Sequence, residues 1–217
     1  MFANRAEAGK SLAKQLGERN FNKPVIWAIP RGGVVVAEPV ASALGAGIEL
    51  VIPRKVGTPW NPEVAMAAVA PDGTVIYHRA AMAQLGLTVE DLKPLIAAEL
   101  KEIGRRMDAY GRQPSIGEIS GRTAILIDDG IATGLTIKAA LAALRKQNPD
   151  QLILAVPVAP RDTVEDLKPM VDDLICLLTP DDFIAVGEYY VDFGQTGDEE
   201  VLHILRNNRS AAGHNTG

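Results

Sequence analysis

"AILIDDGIATGLT", Ala124–Thr136, decides how this chain is read. An apolar run leads straight into two adjacent aspartates, Asp128 and Asp129, and then into Gly130, Thr133, Gly134 and Thr136. A short continuous apolar run suits a strand covered on both faces. The two carboxylates then stand where that strand leaves its sheet, and ligands of open α/β sheets bind beyond the carboxyl ends of the strands. Gly130 and Gly134 let backbone approach a ligand closely. Thr133 and Thr136 bring hydroxyls, and the amides of 131–136 lie at a helix start, which favours a phosphate group. One segment therefore offers acceptors for sugar hydroxyls and donors for a phosphate. Any two of these residues would make only an Asp-Gly turn and a threonine cap; the whole ordered set describes a site for a phosphorylated sugar.

Outward from this segment, short apolar runs alternate with helical patterns. Strands are expected at 24–30, 47–53, 122–128 and in "QLILAVPVA" and "DDLICLL". "VAMAAVA" (64–70) and "TVIYH" (74–78) read as a hairpin around Asp72-Gly73. Helices are expected across "VVVAEPVASALG", near 134–147 and from Arg161, and the alternation argues a mostly parallel, twisted sheet with crossover helices. Between residues 78 and 112 the pattern changes. Leu92, Leu95, Ile96, Leu100, Ile103, Met107 and Tyr110 fall at helical spacing, which predicts a long inserted amphipathic helix. Thr88 and Asp91 have capping-box spacing, while Pro94 argues for a later start, near Asp91. The helix reads as a buttress on the core, with a dimer face or a lid as alternatives. The domain is expected over 1–205, with a disordered tail at 206–217.

The chain has 217 residues, 47% hydrophobic and 23% charged, which fits one α/β domain with an insertion. Its net charge of −5 and lack of a basic block argue against nucleic acid as a partner. No apolar run approaches the ~20 residues of a membrane span, and "MFANRAEAGKSLAKQL" reads as an amphipathic helix rather than a signal peptide. A single cysteine, Cys176 in "LICLL", fits a small buried hydrophobe and a reducing cytoplasm. His78, His203 and His214 fall outside every motif and receive no role.

Two other strand ends carry cations. "IPRGG" (29–33) places Arg31 on a Gly-Gly turn whose free amides can meet an anion, although a plain strand-to-helix turn looks the same. "PRKVGTPWNPE" (53–63) carries Arg54 and Lys55, either an anion grip or a solvated loop. In "VGEYYVDFGQTGDEEV" (186–201), Tyr189, Tyr190 and Phe193 cluster beside Glu188, which ordinary packing explains about as well as a site does; Asp198, Glu199 and Glu200 suit a helix start.

The Ala124–Thr136 segment closely resembles the PRPP-binding signature of type I phosphoribosyltransferases: an apolar strand, two acidic residues, then a small-residue loop with Thr-Gly-x-Thr. The resemblance extends from about residue 20 to 200 and is greatest to stand-alone bacterial members of undefined base specificity. It implies an open, mostly parallel sheet flanked by helices, with a small C-terminal hood at 180–205, and transfer of the 5-phosphoribosyl group of PRPP to a nitrogenous base with release of pyrophosphate. By the resemblance, Asp128 and Asp129 hold the ribose hydroxyls, and Gly130, Ala132, Thr133, Gly134, Leu135 and Thr136 cradle the 5′-phosphate. Arg31, Gly32, Gly33, Arg54 and Lys55 meet pyrophosphate. Asp128, Asp129, Arg31 and Lys55 are the expected catalytic groups, and Glu188, Tyr189 and Tyr190 the candidates for the base. Mg²⁺ is expected mainly on substrate oxygens and water. Gly57, Pro59 and Pro62 lie in a candidate lid, and a homodimer is expected. The family's pyrophosphate loop often holds a cis peptide before its basic residue. A cis X–Pro bond costs about 0.5–1 kcal/mol against about 2.5–4 kcal/mol for other residues, so Ile29–Pro30 is expected to be cis. The alternative function is a non-catalytic PRPP- or nucleotide-binding regulatory module on the same fold.

Overall fold

The computed structural model describes residues 1–113, 116, 117 and 119–212, the last four as backbone only. Strands β1 (Val25–Ala28), β2 (Gly47–Leu50), β6 (Thr123–Ile127), β7 (Gln151–Val158) and β8 (Asp173–Leu178) form a five-stranded parallel sheet in the order β2-β1-β6-β7-β8. Every residue of β1 and β6 is buried. Their side chains alternate between two cores, as the pleat dictates. Ile26, Ala28, Ile125 and Ile127 join one core with α1 (Arg5–Gly17), α2 (Gly32–Leu44) and α7 (Asp198–Ala212). Val25, Trp27, Ala124 and Leu126 join the other with α5 (Leu135–Arg145) and α6 (Arg161–Leu167). Helices α1 and α2 come close because Gly9 lacks a side chain: a Cβ there would press on Val36 O and stand 3.0 Å from Pro39 Cγ.

The expected strand 47–53 ends at Leu50, and the chain then enters a second, antiparallel sheet of β3 (Arg54–Val56), β4 (Ala67–Val69) and β5 (Val75–Tyr77). The β4–β5 hairpin turns at Asp72-Gly73 as expected, with Gly73 at φ +82°. Strand β3 falls where the sequence reads as loop, because two adjacent charges in "PRKVG" hide a strand that owes its place to pairing with β4. The 78–112 insertion holds α3 (Arg79–Gln84) and α4 (Val89–Ala109). The full Thr88–Asp91 capping box forms, so α4 starts at Val89 and carries Pro94 inside it. Two satisfied end groups and a buried stripe outweigh the proline's missing donor. Leu92, Ile96, Ile103 and Met107 are buried against the main core, which makes α4 a buttress within the chain.

The C-terminus corrects the expected tail. Helix α7 continues to Ala212, with Val201, Ile204 and Leu205 buried. Asn208 accepts from Ile48 N at 2.7 Å and donates to Ala46 O at 3.1 Å, which ties the helix to the sheet edge. A single polar side chain that caps β2 leaves no apolar period for the sequence to reveal. Residues 213–217 of the expected tail, His214 among them, lie outside the described residues.

Ile103 is fully buried. Ile103→Ala is expected to destabilise the chain by about 2–5 kcal/mol in urea unfolding; an unchanged midpoint would mean that α4 does not support the core.

Candidate active site at the switch point of the sheet

Strands β1 and β6 are neighbours, but the chain winds from them in opposite directions: β1 continues to β2 on one side, β6 to β7 on the other. That reversal opens a crevice at their carboxyl ends. Ala28 pairs with Ile127, and Ile29 N extends the register by donating to Ile127 O at 3.0 Å. The two motifs that the sequence singles out separately, ending in Arg31 and starting at Asp128, therefore leave the sheet side by side. Their contact needs glycine. A Cβ on Gly32 would collide with the Asp129 carboxylate and stand 2.6 Å from Arg5 Nε, and one on Gly33 would stand 3.0 Å from Asp128 Cα. The cis bond lies one residue later than expected, at Pro30–Arg31 rather than Ile29–Pro30, so the intrinsic preference of X–Pro bonds does not decide its position.

The carboxylates sit in different surroundings. Asp129 Oδ2 accepts from Arg5 Nε at 2.7 Å, with both side chains mostly buried. Arg5 also donates to Gly194 O at 2.7 Å and lies over the Phe193 ring, 3.8 Å from its centroid. Arg5 is the residue of this candidate site that sequence reasoning misses; it stands 124 positions from its partner, and no spacing rule links them. Asp128 Oδ1 accepts from Asp129 N at 2.8 Å. Burial, and then the charge of Asp129, push the Asp128 carboxyl well above the usual carboxylate range.

Beyond the carboxylates the loop is braced from behind. A Cβ on Gly130 would press on Val186, and Ile131 N donates to Val158 O at 2.9 Å. Thr163 Oγ1 donates to Ala132 O at 2.9 Å. Gly134, at φ +72°, caps α5. Ala132 and Thr133 are exposed, whereas Gly134 and Leu135 are buried and offer only their amides. A cavity of about 830 Å³ opens on Ala132 and Thr133, with Arg161, Asp181 and Phe183 across it.

The cations do not share one setting. Arg31 is half-exposed, 3.8 Å from Asp198. Arg54 is committed to Glu99 of α4 at 2.6 Å, and Lys55, the next residue along β3, is exposed. The candidate lid is a built turn, in which Thr58 N and Oγ1 donate to Asn61 O and a Cβ on Gly57 would overlap Pro62. Trp60 projects from it into solvent.

The base candidates divide. Glu188 is exposed, and Tyr189 stacks on Phe183 at 5.6 Å and donates to Asp182 O. Tyr190 is only 5% exposed, packs on Phe2 and Phe193, and donates to Asp129 O at 2.6 Å. Burial, and then Asp129, raise its phenol far above the ordinary value, so it remains a donor. Tyr190 braces the carboxylate loop through that hydrogen bond, and its ring offers no open face to a base.

This architecture matches known proteins. The family model described as "Phosphoribosyl transferase domain" matches residues 2–193. The chain is 37% identical over 205 residues to "Putative phosphoribosyl transferase Rv0571c" of Mycobacterium tuberculosis (strain ATCC 25618 / H37Rv), a match over 94% of this chain and 46% of that protein. The same holds for "Putative phosphoribosyl transferase MT0597" of strain CDC 1551 / Oshkosh, so the chain spans about half the length of these curated relatives. The crystal structure of TT1426 from Thermus thermophilus superposes with a TM-score of 0.80 at 38% identity, over 95% of this chain and 98% of that one. The chain belongs to the phosphoribosyl transferase family and has the type I fold of that family. Among the described residues, no helix is long and apolar enough to cross a membrane.

The raised Asp128 pKa has a signed consequence. The folded chain holds this proton more tightly than the unfolded chain, so Asp128 lowers stability as pH rises from the ordinary carboxylate range through the raised value. Asp128→Asn keeps the acceptor for Asp129 N and removes the charge. Its stability relative to the unsubstituted chain is expected to be nearly unchanged at about pH 4 and to increase towards neutral pH in thermal melts. A difference independent of pH would contradict this.

Proposed function

We propose that this chain is a phosphoribosyltransferase that moves the 5-phosphoribosyl group of PRPP to a nitrogenous base and releases pyrophosphate. One observation carries the reading: the cation-bearing glycine turn and the carboxylate pair pack on each other where the winding of the sheet reverses, and the loop that opens α5 follows directly from the acids. Asp128 and Asp129 would hold the 2′- and 3′-hydroxyls. Amides of 132–136 would take the 5′-phosphate at the start of α5. Arg31 and Lys55 would draw the diphosphate away from C1. The C1–O bond breaks with its electron pair leaving on pyrophosphate, a base nitrogen bonds to C1, and that nitrogen sheds its proton to solvent. Positive charge develops on the sugar, and the acids below it favour that state.

The donor set suits Mg²⁺ that arrives with its substrate. Two adjacent carboxyls, one of them held by Arg5, make a poor cage but can meet an ion whose other ligands are diphosphate oxygens, ribose hydroxyls and water. When bound, the ion would neutralise leaving-group charge. The hollow beside Ala132 and Thr133 has room for the acceptor, with Phe183 on its wall. A homodimer and a cytoplasmic location complete the proposal.

Pure protein with PRPP, Mg²⁺ and a panel of purine, pyrimidine and related bases is expected to release pyrophosphate with at least one acceptor. Asp129→Asn should weaken PRPP binding by about tenfold or more in calorimetry, the loss of a charged hydrogen-bond acceptor, without unfolding the chain. PRPP binding without release for any base would favour a regulatory binding module, and no binding would overturn both readings.

A further inference from the structure

We propose that the inserted helix α4 supplies half of the diphosphate grip, with Arg105 and Arg106 joining Arg31 to hold the outer phosphoryl group. The inference rests on the function proposed above and assigns a role to a helix that otherwise only supports the core.

The C-terminal end of α4, the Arg31 turn and the start of α7 enclose a small cavity of about 130 Å³, lined by Arg31, Arg105, Arg106, Ala109, Tyr110 and Asp198. That is well below the ~300 Å³ of a small-molecule pocket and suits a compact anion. Three guanidinium groups reach it. Their counter-charges are Glu102, which accepts from Arg105 at 2.7 and 2.8 Å and from Arg106 at 2.9 Å, and Asp198, 3.8 Å from Arg31. Arg105, Arg106, Arg31 and Asp198 are all substantially exposed, so these pairs hold the cations weakly and a multiply charged anion can displace them. Tyr110 donates to Asp198 Oδ1 at 2.5 Å, and burial, then that hydrogen bond, raise its phenol to about 12, so it keeps a proton for an anion that displaces Asp198. Guanidinium forks match phosphoryl oxygens two at a time.

The rest of the site points to diphosphate as the occupant. Arg31 lines this cavity and directly precedes the two glycines that pack against the carboxylate pair, where the proposed function puts the sugar. Arg54, one of the two cations expected from β3, is held by Glu99. The diphosphate must therefore find its remaining positive charge elsewhere, and α4 presents two arginines beside Arg31.

Calorimetric titration with sodium pyrophosphate and, separately, with ribose 5-phosphate tests this in three proteins. The unsubstituted chain is expected to bind both. The double variant Arg105→Gln/Arg106→Gln should lose about tenfold or more in pyrophosphate affinity and keep ribose 5-phosphate affinity within about twofold, as two charge-assisted contacts imply. Glu102→Gln frees both guanidinium groups and should tighten pyrophosphate by about threefold or more, a gain that damage to the fold would not produce. Equal pyrophosphate affinity in all three, or a matching loss of both ligands, would overturn the inference while leaving the proposed function standing. Failure of the unsubstituted chain to bind either ligand would overturn both.

Discussion

Two glycines against two aspartates is the contact on which this site depends. Gly32 and Gly33 open α2, and Asp128 and Asp129 follow β6; the missing side chains let the turn settle onto the acids. Any larger residue at 32 would displace both the Asp129 carboxylate and Arg5. The parallel register of β1 and β6 brings the loops level, at the reversal of winding where open α/β sheets bind ligands. The sheet thus sets the distance between a cationic turn and an acidic pair before any ligand is bound, and positioned charge of this kind needs little reorganisation during reaction.

The acids are held at a cost to stability. Asp128 is half-buried next to a second carboxylate, which disfavours its charge. Arg5 offsets part of this from the first turn of α1, and the Tyr190 hydroxyl donates to the Asp129 carbonyl. Arg5 also reaches Phe193 and Gly194. The amino-terminal helix, the acidic loop and the segment before α7 are therefore joined through one guanidinium, at the place where a sugar would have to bind.

Continuous apolar runs make β1, β6, β7 and β8 legible in the sequence, because few polar residues interrupt them. The acidic pair and its loop are legible because they are contiguous. Strand β3 is not, since Arg54 and Lys55 mask three residues that are strand only by pairing with β4. Arg5 and Asn208 are hidden for a related reason: each acts on a partner more than a hundred residues away, and local periodicity carries no trace of such a contact. Tyr190 is visible as an aromatic, but whether it faces a ligand or the core depends on tertiary packing.

The most direct test of the central claim is a crystal structure of the protein with ribose 5-phosphate bound. The account predicts both ribose hydroxyls within hydrogen-bonding distance of Asp128 and Asp129, and the phosphate on the amides of 132–136. A phosphate bound elsewhere on the chain, with Asp129 still closed on Arg5 and the crevice between β1 and β6 empty, would contradict it.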